Sequence, residues 1–180
     1  MSGSVSGGGR REHASGPRAV QTWPVRGRDV AAVRLSARVD YALRAMSELA
    51  AADAPRTVDQ LAAAQQIPAK YLESILGELR RGGLLRSQRG PDGGYRLARP
   101  AAATSIADVI RALDGELANV RGSRPEHLEY TGAAAALQEV WIALRASERS
   151  ILELVTLADV AAGQLPAPVA ELVANPSAWH

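Results

Sequence analysis

A glycine-rich turn between two short alternating segments is the sequence feature that most limits how this chain folds. Residues 84–88 read LLRSQ and residues 94–99 read GYRLAR, on either side of the turn RGPDGG at 89–94. Short alternating segments around such a turn are typical of a β-hairpin. Glycine suits the turn because, without a Cβ, it adopts positive φ at no steric cost. The pattern therefore predicts a hairpin over residues 84–99.

Two helices are predicted immediately before the hairpin. Thr57 is a suitable N-cap for a short helix over residues 58–65, and Pro68 suits the first turn of the next helix. That second helix ends at Gly82-Gly83, since glycine commonly follows a helix end. Its apolar face consists of Leu72, Ile75, Leu76 and Leu79. Two short helices joined by a tight turn match a helix-turn-helix, and a hairpin directly after it is a wing.

An earlier helix and an irregular leader complete the first part of the chain. Ser36 is a plausible N-cap for a helix over residues 37–52, which has apolar residues at helical spacing. Residues 1–33 are rich in Gly, Ser and Arg and have no apolar period, which predicts a disordered leader. The predicted fold class is mainly α with a small β wing: a winged helix-turn-helix DNA-binding domain followed by a long dimerisation helix.

The distribution of charge favours a nucleic-acid partner for the middle of the chain. Residues 34–100 carry ten Arg and one Lys against seven acidic residues, whereas residues 101–180 carry five Arg against ten acidic residues. A basic module joined to an acidic one is typical of nucleic-acid binding, although a solvated surface has the same balance. Arg89 and Arg96 flank the wing tip, where glycines leave room for a phosphate backbone or a minor groove.

Composition also excludes several function classes. The chain has no cysteine, which excludes disulfides, thiolate metal sites and cysteine nucleophiles. Its three histidines, His13, His127 and His180, stand in the leader, a loop and the tail, and no Gly-rich phosphate loop ends in Lys-Ser/Thr, so we expect no enzyme. No apolar run approaches the about 18 residues of a membrane span, which predicts a cytoplasmic protein.

Four segments of the sequence, taken in order over residues 33–162, resemble one known family. They are VRLSARVDYALRAM, TVDQLAAAQQIPAKYLESILGELRRGGLLRSQRGPDGGYRLAR, TSIADVIRALDG and LQEVWIALRASERSILELVTLADV. They are similar to the Rrf-type (IscR/NsrR-like) transcriptional regulators. The resemblance implies a homodimeric winged helix-turn-helix protein that binds a palindromic double-stranded DNA operator, as a repressor. It also implies DNA contacts at Arg34, Ser36, Lys70, Tyr71, Glu73, Ser74, Arg89, Gly90, Gly93 and Gly94. Tyr71 could equally be a packing residue.

The loop before the long helix departs from the family pattern. Relatives that sense through an iron–sulphur cluster carry three cysteines there, whereas this chain has Thr131 at the last such position and Ala134 where a histidine often follows. Asp40, which matches a carboxylate ligand of some members, and His127 cannot replace thiolates, so we predict no cluster and no other cofactor. Small residues beside aromatics predict an effector pocket for a small molecule, formed by Tyr130, Thr131, Ala134 and Trp141. The alternatives are a loop that packs shut and control by a partner protein.

A long helix over residues 133–156 is predicted to form the dimer. Apolar residues repeat every seven positions, from Leu137 through Leu144 and Ile151 to Ala158, which is typical of a helix–helix seam. The seam could pack on its own domain, but the family resemblance favours the twin helix of a second subunit. The predicted dimerisation residues are Leu137, Trp141, Leu144, Ile151 and Val155.

The segments predicted from these patterns are a leader at 1–33, the DNA-binding domain at 34–100, a linker helix and effector loop at 101–132, a dimerisation region at 133–164 and a C-terminal tail at 165–180. The function predicted for the whole is that of a sequence-specific transcriptional regulator. The alternative is a winged-helix adaptor that binds a partner protein instead of DNA, which the basic middle of the chain disfavours.

Overall fold

The computed structural model describes residues 35–179, and the predicted leader and Arg34 lie outside the described residues. Within that range the chain forms helices and one antiparallel pair of strands, as predicted. Their bounds are α1 Ala37–Ala50, α2 Val58–Gln65, α3 Ala69–Arg81, β1 Leu85–Gln88, β2 Gly94–Leu97, α4 Ile106–Asp114, α5 Leu137–Leu152, α6 Leu157–Ala162 and α7 Ala167–Ala174. Short 3-10 turns lie at 101–103, 125–127, 132–134 and 176–178.

The main core joins the three N-terminal helices to the base of the wing. Met46 of α1, Leu61 of α2 and Leu76 of α3 are at most 1 % exposed, and Leu85 at the start of β1 is 2 % exposed. Leu157 of α6 is fully buried in the same cluster. Helix α6 therefore contributes to the core of the predicted DNA-binding segment, although it follows that segment by more than fifty residues.

A second, smaller cluster places α4 against α1. Val39 of α1 and Ala107 of α4 are fully buried there, together with Ile110 and Leu117. Leu152, at the end of α5, packs against this cluster. The linker helix α4 is thus the element that lies between the DNA-binding helices and α5.

The helix predicted over residues 133–156 is shorter than the sequence pattern suggests. Residues 132–134 form a 3-10 turn, and α5 ends at Leu152. Thr156 then caps α6, with its hydroxyl accepting from the Asp159 amide at 3.2 Å and the Asp159 carboxylate accepting from the Thr156 amide at 2.8 Å. This capping box starts a new helix, so the heptad position Ala158 belongs to α6 and not to the predicted seam.

The prediction that Val155 lies in the dimer seam is wrong. Val155 is 6 % exposed, and its carbonyl accepts from the Ile106 amide at 3.0 Å. The next rung joins the Leu157 amide to the Thr104 carbonyl at 2.9 Å. These two backbone hydrogen bonds turn the chain after α5 and bury Val155 inside its own protomer.

The C-terminal tail, which the sequence left unassigned, contains helix α7. Val169 is its buried residue at 9 % exposure, whereas Leu172 is 52 % exposed. Across the part of the chain that the structure describes, no helix combines the length and apolar character needed to cross a membrane.

Candidate nucleic-acid interface

The turn between α2 and α3 is fixed by local hydrogen bonds and one buried side chain. Thr57 and Gln60 form a capping box at the start of α2. Gln66 ends that helix in the left-handed conformation, at φ 54°, and Ile67 is then buried at 4 % exposure. Arg44 of α1 donates to both the side chain and the carbonyl of Gln65. The orientation of α3 relative to α2 is therefore set by the turn and by α1.

Helix α3 has one buried and one exposed face, as predicted. Four apolar side chains, at most 1 % exposed, attach it to the core: Leu72, Ile75, Leu76 and Leu79. Lys70, Tyr71, Glu73 and Ser74 are exposed. An ion pair between Arg38 of α1 and Glu78 further holds α3 in place. The exposed face thus carries a cation, an anion, a hydroxyl and an aromatic ring, which are groups able to contact base edges and phosphates.

Tyr71 is both exposed and packed. It is 44 % exposed, and its ring lies edge-to-face on Tyr41, with 5.8 Å between centroids and 81° between planes. The Arg44 guanidinium lies 5.6 Å from the Tyr41 centroid. Contacts with α1 thus fix the orientation of Tyr71, while part of the ring stays open to a partner.

The wing carries an arginine pair that sequence reasoning missed. Arg86 of β1 and Arg96 of β2 are directly opposite each other in the ladder, and both are exposed. Like charges at opposed positions destabilise a sheet by roughly 0.2–1 kcal/mol. A polyanionic partner bound at this position would reduce that repulsion. Arg86 could be found only from the strand register, which places it opposite Arg96, and the turn sequence alone does not determine that register.

The backbone of the hairpin requires each of the three predicted wing-tip glycines, either by its φ or by a close approach of neighbouring backbone. Gly94 has φ +149°, and a Cβ there would lie 2.5 Å from the Arg56 carbonyl oxygen. The Tyr95 amide donates to that same oxygen at 2.7 Å, so Arg56 pairs with the wing as an additional bridge. A Cβ on Gly93 would lie 2.6 Å from the Gln88 carbonyl oxygen. Gly90 has φ +112°, which L side chains rarely adopt, but a Cβ there would meet no atom within 4 Å, so this glycine is the open part of the tip.

Ser36, predicted as a phosphate contact, uses its hydroxyl within the protein. The oxygen accepts from the Val39 amide at 3.2 Å and donates to the Asp114 carboxylate at 2.8 Å. Ser36 thereby caps α1 and connects it to the end of α4. The neighbouring predicted contact, Arg34, lies outside the described residues.

Comparison with known proteins assigns the chain to a family. The sequence profile of Rrf2, described as an iron-dependent transcriptional regulator, matches residues 35–163. A protein of Mycobacterium tuberculosis described as an HTH-type transcriptional regulator is 54% identical over 142 residues, which are 78% of this chain and 88% of that protein. This chain belongs to the Rrf2 family. It is a DNA-binding transcriptional regulator and not an enzyme.

Solved structures of Rrf2 proteins have the same fold. The structure of CymR, the global cysteine regulator of Bacillus subtilis, superposes with a TM-score of 0.63 at 32% identity and covers 73% of this chain and 98% of that one. The structure of IscR from T. potens gives a TM-score of 0.57 at 29% identity and covers 71% and 85% of the two chains.

The iron named in the Rrf2 description does not fit the donor set of this chain. The sequence has no cysteine, and cluster irons are held mainly by thiolates. Between residues 35 and 179, no three His, Asp or Glu side chains are grouped so that they could hold a metal ion. Thr131 and Ala134 offer one hydroxyl and one methyl group at the positions where the resemblance implies cluster ligands. No step of the function is therefore derived through iron.

Two residues of the predicted effector pocket contact each other. The Trp141 indole donates to the Tyr130 hydroxyl at 3.1 Å, which joins the two aromatic residues. A cavity of about 280 Å³ lies elsewhere, between α4, this loop and α5. Its lining is Arg111, Glu116, Leu117, Arg124, Arg145 and Arg149, and includes none of the predicted residues Tyr130, Thr131, Ala134 and Trp141.

Helix α5 presents an apolar stripe at the surface. Leu137, Val140 and Leu144 are 39%, 51% and 41% exposed, and Ile151 is half-buried beside them. At 100° per residue these four side chains fall within a sector of roughly 60°. Trp141, also predicted in the seam, lies at the edge of the stripe and is half-buried. The stripe is large for a helix exposed to water.

Proposed function

We propose that this Rrf2 protein is a sequence-specific repressor that binds a palindromic operator as a homodimer. The observation that carries the proposal is the exposed face of α3 followed at once by a wing with a cross-strand arginine pair. Lys70, Glu73 and Ser74 would contact base edges in the major groove, while Arg86, Arg89 and Arg96 would neutralise backbone phosphates.

The second protomer is the occupant proposed for the apolar stripe of α5. Three of its side chains are about half exposed, and together with Ile151 the stripe extends over about four turns of one helix. A second copy of the same stripe would cover them symmetrically, which is the usual arrangement of a two-fold dimer. Each protomer would then present one α3 to one half-site.

We further propose that a small ligand controls DNA affinity. Thiolate redox chemistry is excluded because the chain has no cysteine. A cavity between α4 and α5 supports control by a ligand, since these helices connect the DNA-binding core to the apolar stripe. Such a ligand must bind one arrangement of the dimer better than the other, or it cannot change DNA affinity.

The test is selection of bound sequences from random duplex DNA by the purified protein, followed by a gel shift on its own promoter region. The proposal expects enrichment of an inverted repeat whose half-sites lie about one helical turn apart. Binding that shows no sequence enrichment, together with retention of a protein partner, would instead support the adaptor function. Repression is measured separately, by transcription in vitro from the selected operator.

A further inference from the structure

The cavity beside α5 is lined mainly by arginines from three separate elements. Arg111 comes from α4, Arg124 from the loop, and Arg145 and Arg149 from successive turns of α5. The two α5 arginines lie roughly 130° around the helix from the centre of the apolar stripe. The cavity and the proposed dimer surface are therefore on different sides of α5.

Four carboxylates pair with the four arginines of the cavity: Glu116, Glu126, Glu153 and Asp108, the last 3.9 Å from Arg111. Glu116 is the acidic residue of the lining, and it is shared by Arg124 and by Arg145, whose guanidinium lies 3.6 Å away. Glu153 is shared by Arg111 and by Arg149, at 2.9 Å from Arg149. Hydrogen bonds from these arginines lower the pKa of Glu116 and of Glu153, so both carboxylates stay ionised.

Several guanidinium donors remain for a ligand. Each guanidinium has five N–H donors in a planar fork, and the one or two carboxylates beside it do not occupy them all. The Nε of Arg145 is buried and has no hydrogen-bond acceptor in the described part of the chain, although the Nη1 atom of the same side chain contacts Glu126 at 2.6 Å. The Nε atom has almost no accessible surface, so a ligand in the cavity would use the remaining donors of Arg111, Arg124 and Arg149, whose side chains are 39%, 48% and 50% exposed.

We propose that this cavity binds a small polyanion, a metabolite with at least two carboxylate or phosphate groups. The guanidinium fork matches the two oxygens of a carboxylate or phosphate, and forks from three elements around one space can hold more than one anionic group of a single ligand. The volume of about 280 Å³ is at or below the lower limit for drug-sized ligands, so the ligand is compact. Leu117 is the apolar residue of the lining and contacts the carbon skeleton.

A ligand in the cavity would couple the position of α5 to that of the helices that carry the DNA contacts. This step rests on the proposed function. Arg111 lies on α4, whose Asp114 accepts from Ser36 at the start of α1. The same α4 packs on Val39 through a fully buried Ala107. An anion that bridges Arg111 to Arg149 therefore fixes α5 relative to the support of α1.

The binding test titrates the full chain with citrate and, separately, with pyrophosphate by calorimetry at constant ionic strength. Saturable binding is expected for at least one of them, and the two arms separate a carboxylate from a phosphate preference. Arg149→Gln should weaken it by about tenfold or more, because it removes charge-assisted hydrogen bonds. Arg121→Gln, a charge-matched change in the same loop outside the lining, should leave the affinity unchanged.

A second variant distinguishes an anion-binding site from an ion-pair network that only stabilises the loop. Glu116→Gln removes the carboxylate that competes for Arg124 and Arg145, so it should strengthen anion binding. Equal weakening by Glu116→Gln and Arg149→Gln would overturn the proposal, since the network would then only hold the loop. So would the absence of saturable binding of either anion.

DNA binding with and without the anion distinguishes this site from the proposed function. A change in operator affinity that Arg149→Gln abolishes supports both. Specific anion binding with unchanged operator affinity keeps the site and removes ligand control from the proposed function. Failure of operator binding itself, with anion binding intact, contradicts the proposed function alone.

Discussion

At the scale of single residues, the wing has two positively charged side chains at directly opposed strand positions, an arrangement that lowers the stability of a hairpin. Arg86 and Arg96 are opposite each other, and neither takes part in an ion pair within residues 35–179. Their repulsion is relieved when a phosphate lies between or beside them. The wing is therefore expected to be less stable alone than when bound to DNA.

The first prediction separates phosphate contacts from base contacts. Arg89→Ala and Arg86→Ala should weaken binding to all sequences similarly and lower the salt slope by about one unit, because each removes one phosphate contact. Glu73→Ala should instead change which bases are preferred at one position. Fluorescence anisotropy at several salt concentrations measures both effects. Arg121→Ala, outside the interface, is the control, and an unchanged salt slope in Arg89→Ala would contradict its role in the wing.

The second prediction concerns two glycines with opposite requirements. Gly94→Ala should lower the free energy of unfolding by about 1–3 kcal/mol or more, because its Cβ would collide with the Arg56 backbone at positive φ. Gly77→Ala should raise it by about 0.5–1 kcal/mol, since Gly77 lies within α3 and its Cβ would meet only the end of the Arg81 side chain at 3.6 Å. Urea unfolding measures both; similar destabilisation by the two changes would contradict the assigned wing geometry.

At the scale of elements, α5 offers a matched pair of variants for the proposed dimer. Leu144 and Ile142 are 41% and 43% exposed, but they lie on nearly opposite sides of the helix. Leu144→Lys should shift the protein towards monomer, because a charge in an apolar interface is desolvated without a partner. Ile142→Lys should leave the dimer intact. Sedimentation velocity at several concentrations gives the result, and equal dissociation of both variants would contradict the stripe as the interface.

A pH dependence also belongs to α5. Burial raises the pKa of Glu148, which stands one turn after Leu144 and one turn before Ile151 in α5. Because the folded-state pKa exceeds the unfolded value, stability falls as pH rises through the two values, and the loss is complete above them. Glu148→Gln should therefore raise the melting temperature at pH 7 and have less effect at pH 4. Glu139→Gln on the same helix is the control; a gain from Glu148→Gln that is equal at both pH values would contradict this origin.

How much of each element the sequence predicts depends on whether its signals are local. The bounds of α2 follow from Thr57 and a left-handed Gln66, and the wing follows from its turn glycines, all within a few residues. The end of α5 depends on backbone hydrogen bonds from residues 155–157 to residues 104–106, fifty positions away. The heptad pattern does not reveal these hydrogen bonds, so the sequence predicts a helix that extends through Val155, beyond the observed end of α5 at Leu152.

The arginine cavity was missed for the same reason. Its four arginines are separated by up to 38 positions and share no motif, so only the packing of α4 against α5 brings them together. The predicted pocket was based on small residues beside aromatics, but the hydrogen bond from Trp141 to Tyr130 joins the aromatics to each other. Ion pairs between arginines and glutamates that are distant in sequence depend on the tertiary structure, so no local sequence pattern predicts them.

At the scale of the whole molecule, the matched family segment begins where the described structure begins. The Rrf2 profile starts at residue 35, and helix α1 starts at Ala37 with its cap at Ser36. Deletion of residues 1–32 should therefore leave the melting temperature and the oligomeric state unchanged, as measured by calorimetry and light scattering. A fall of several degrees would show that the leader is part of the fold.

The backbone bridge between Ser105 and Thr156 also has a mechanical consequence. It joins the segment after α5 to the start of α4, so we expect a tilt of α5 to have its pivot near Val155. Sixteen residues make an arm of about 24 Å, and a tilt of roughly 10° moves its far end by roughly 4 Å. That displacement exceeds the spacing of about 3.4 Å between neighbouring base pairs. In the proposed dimer, such a tilt would therefore change the distance between the two α3 helices by about one step along the duplex.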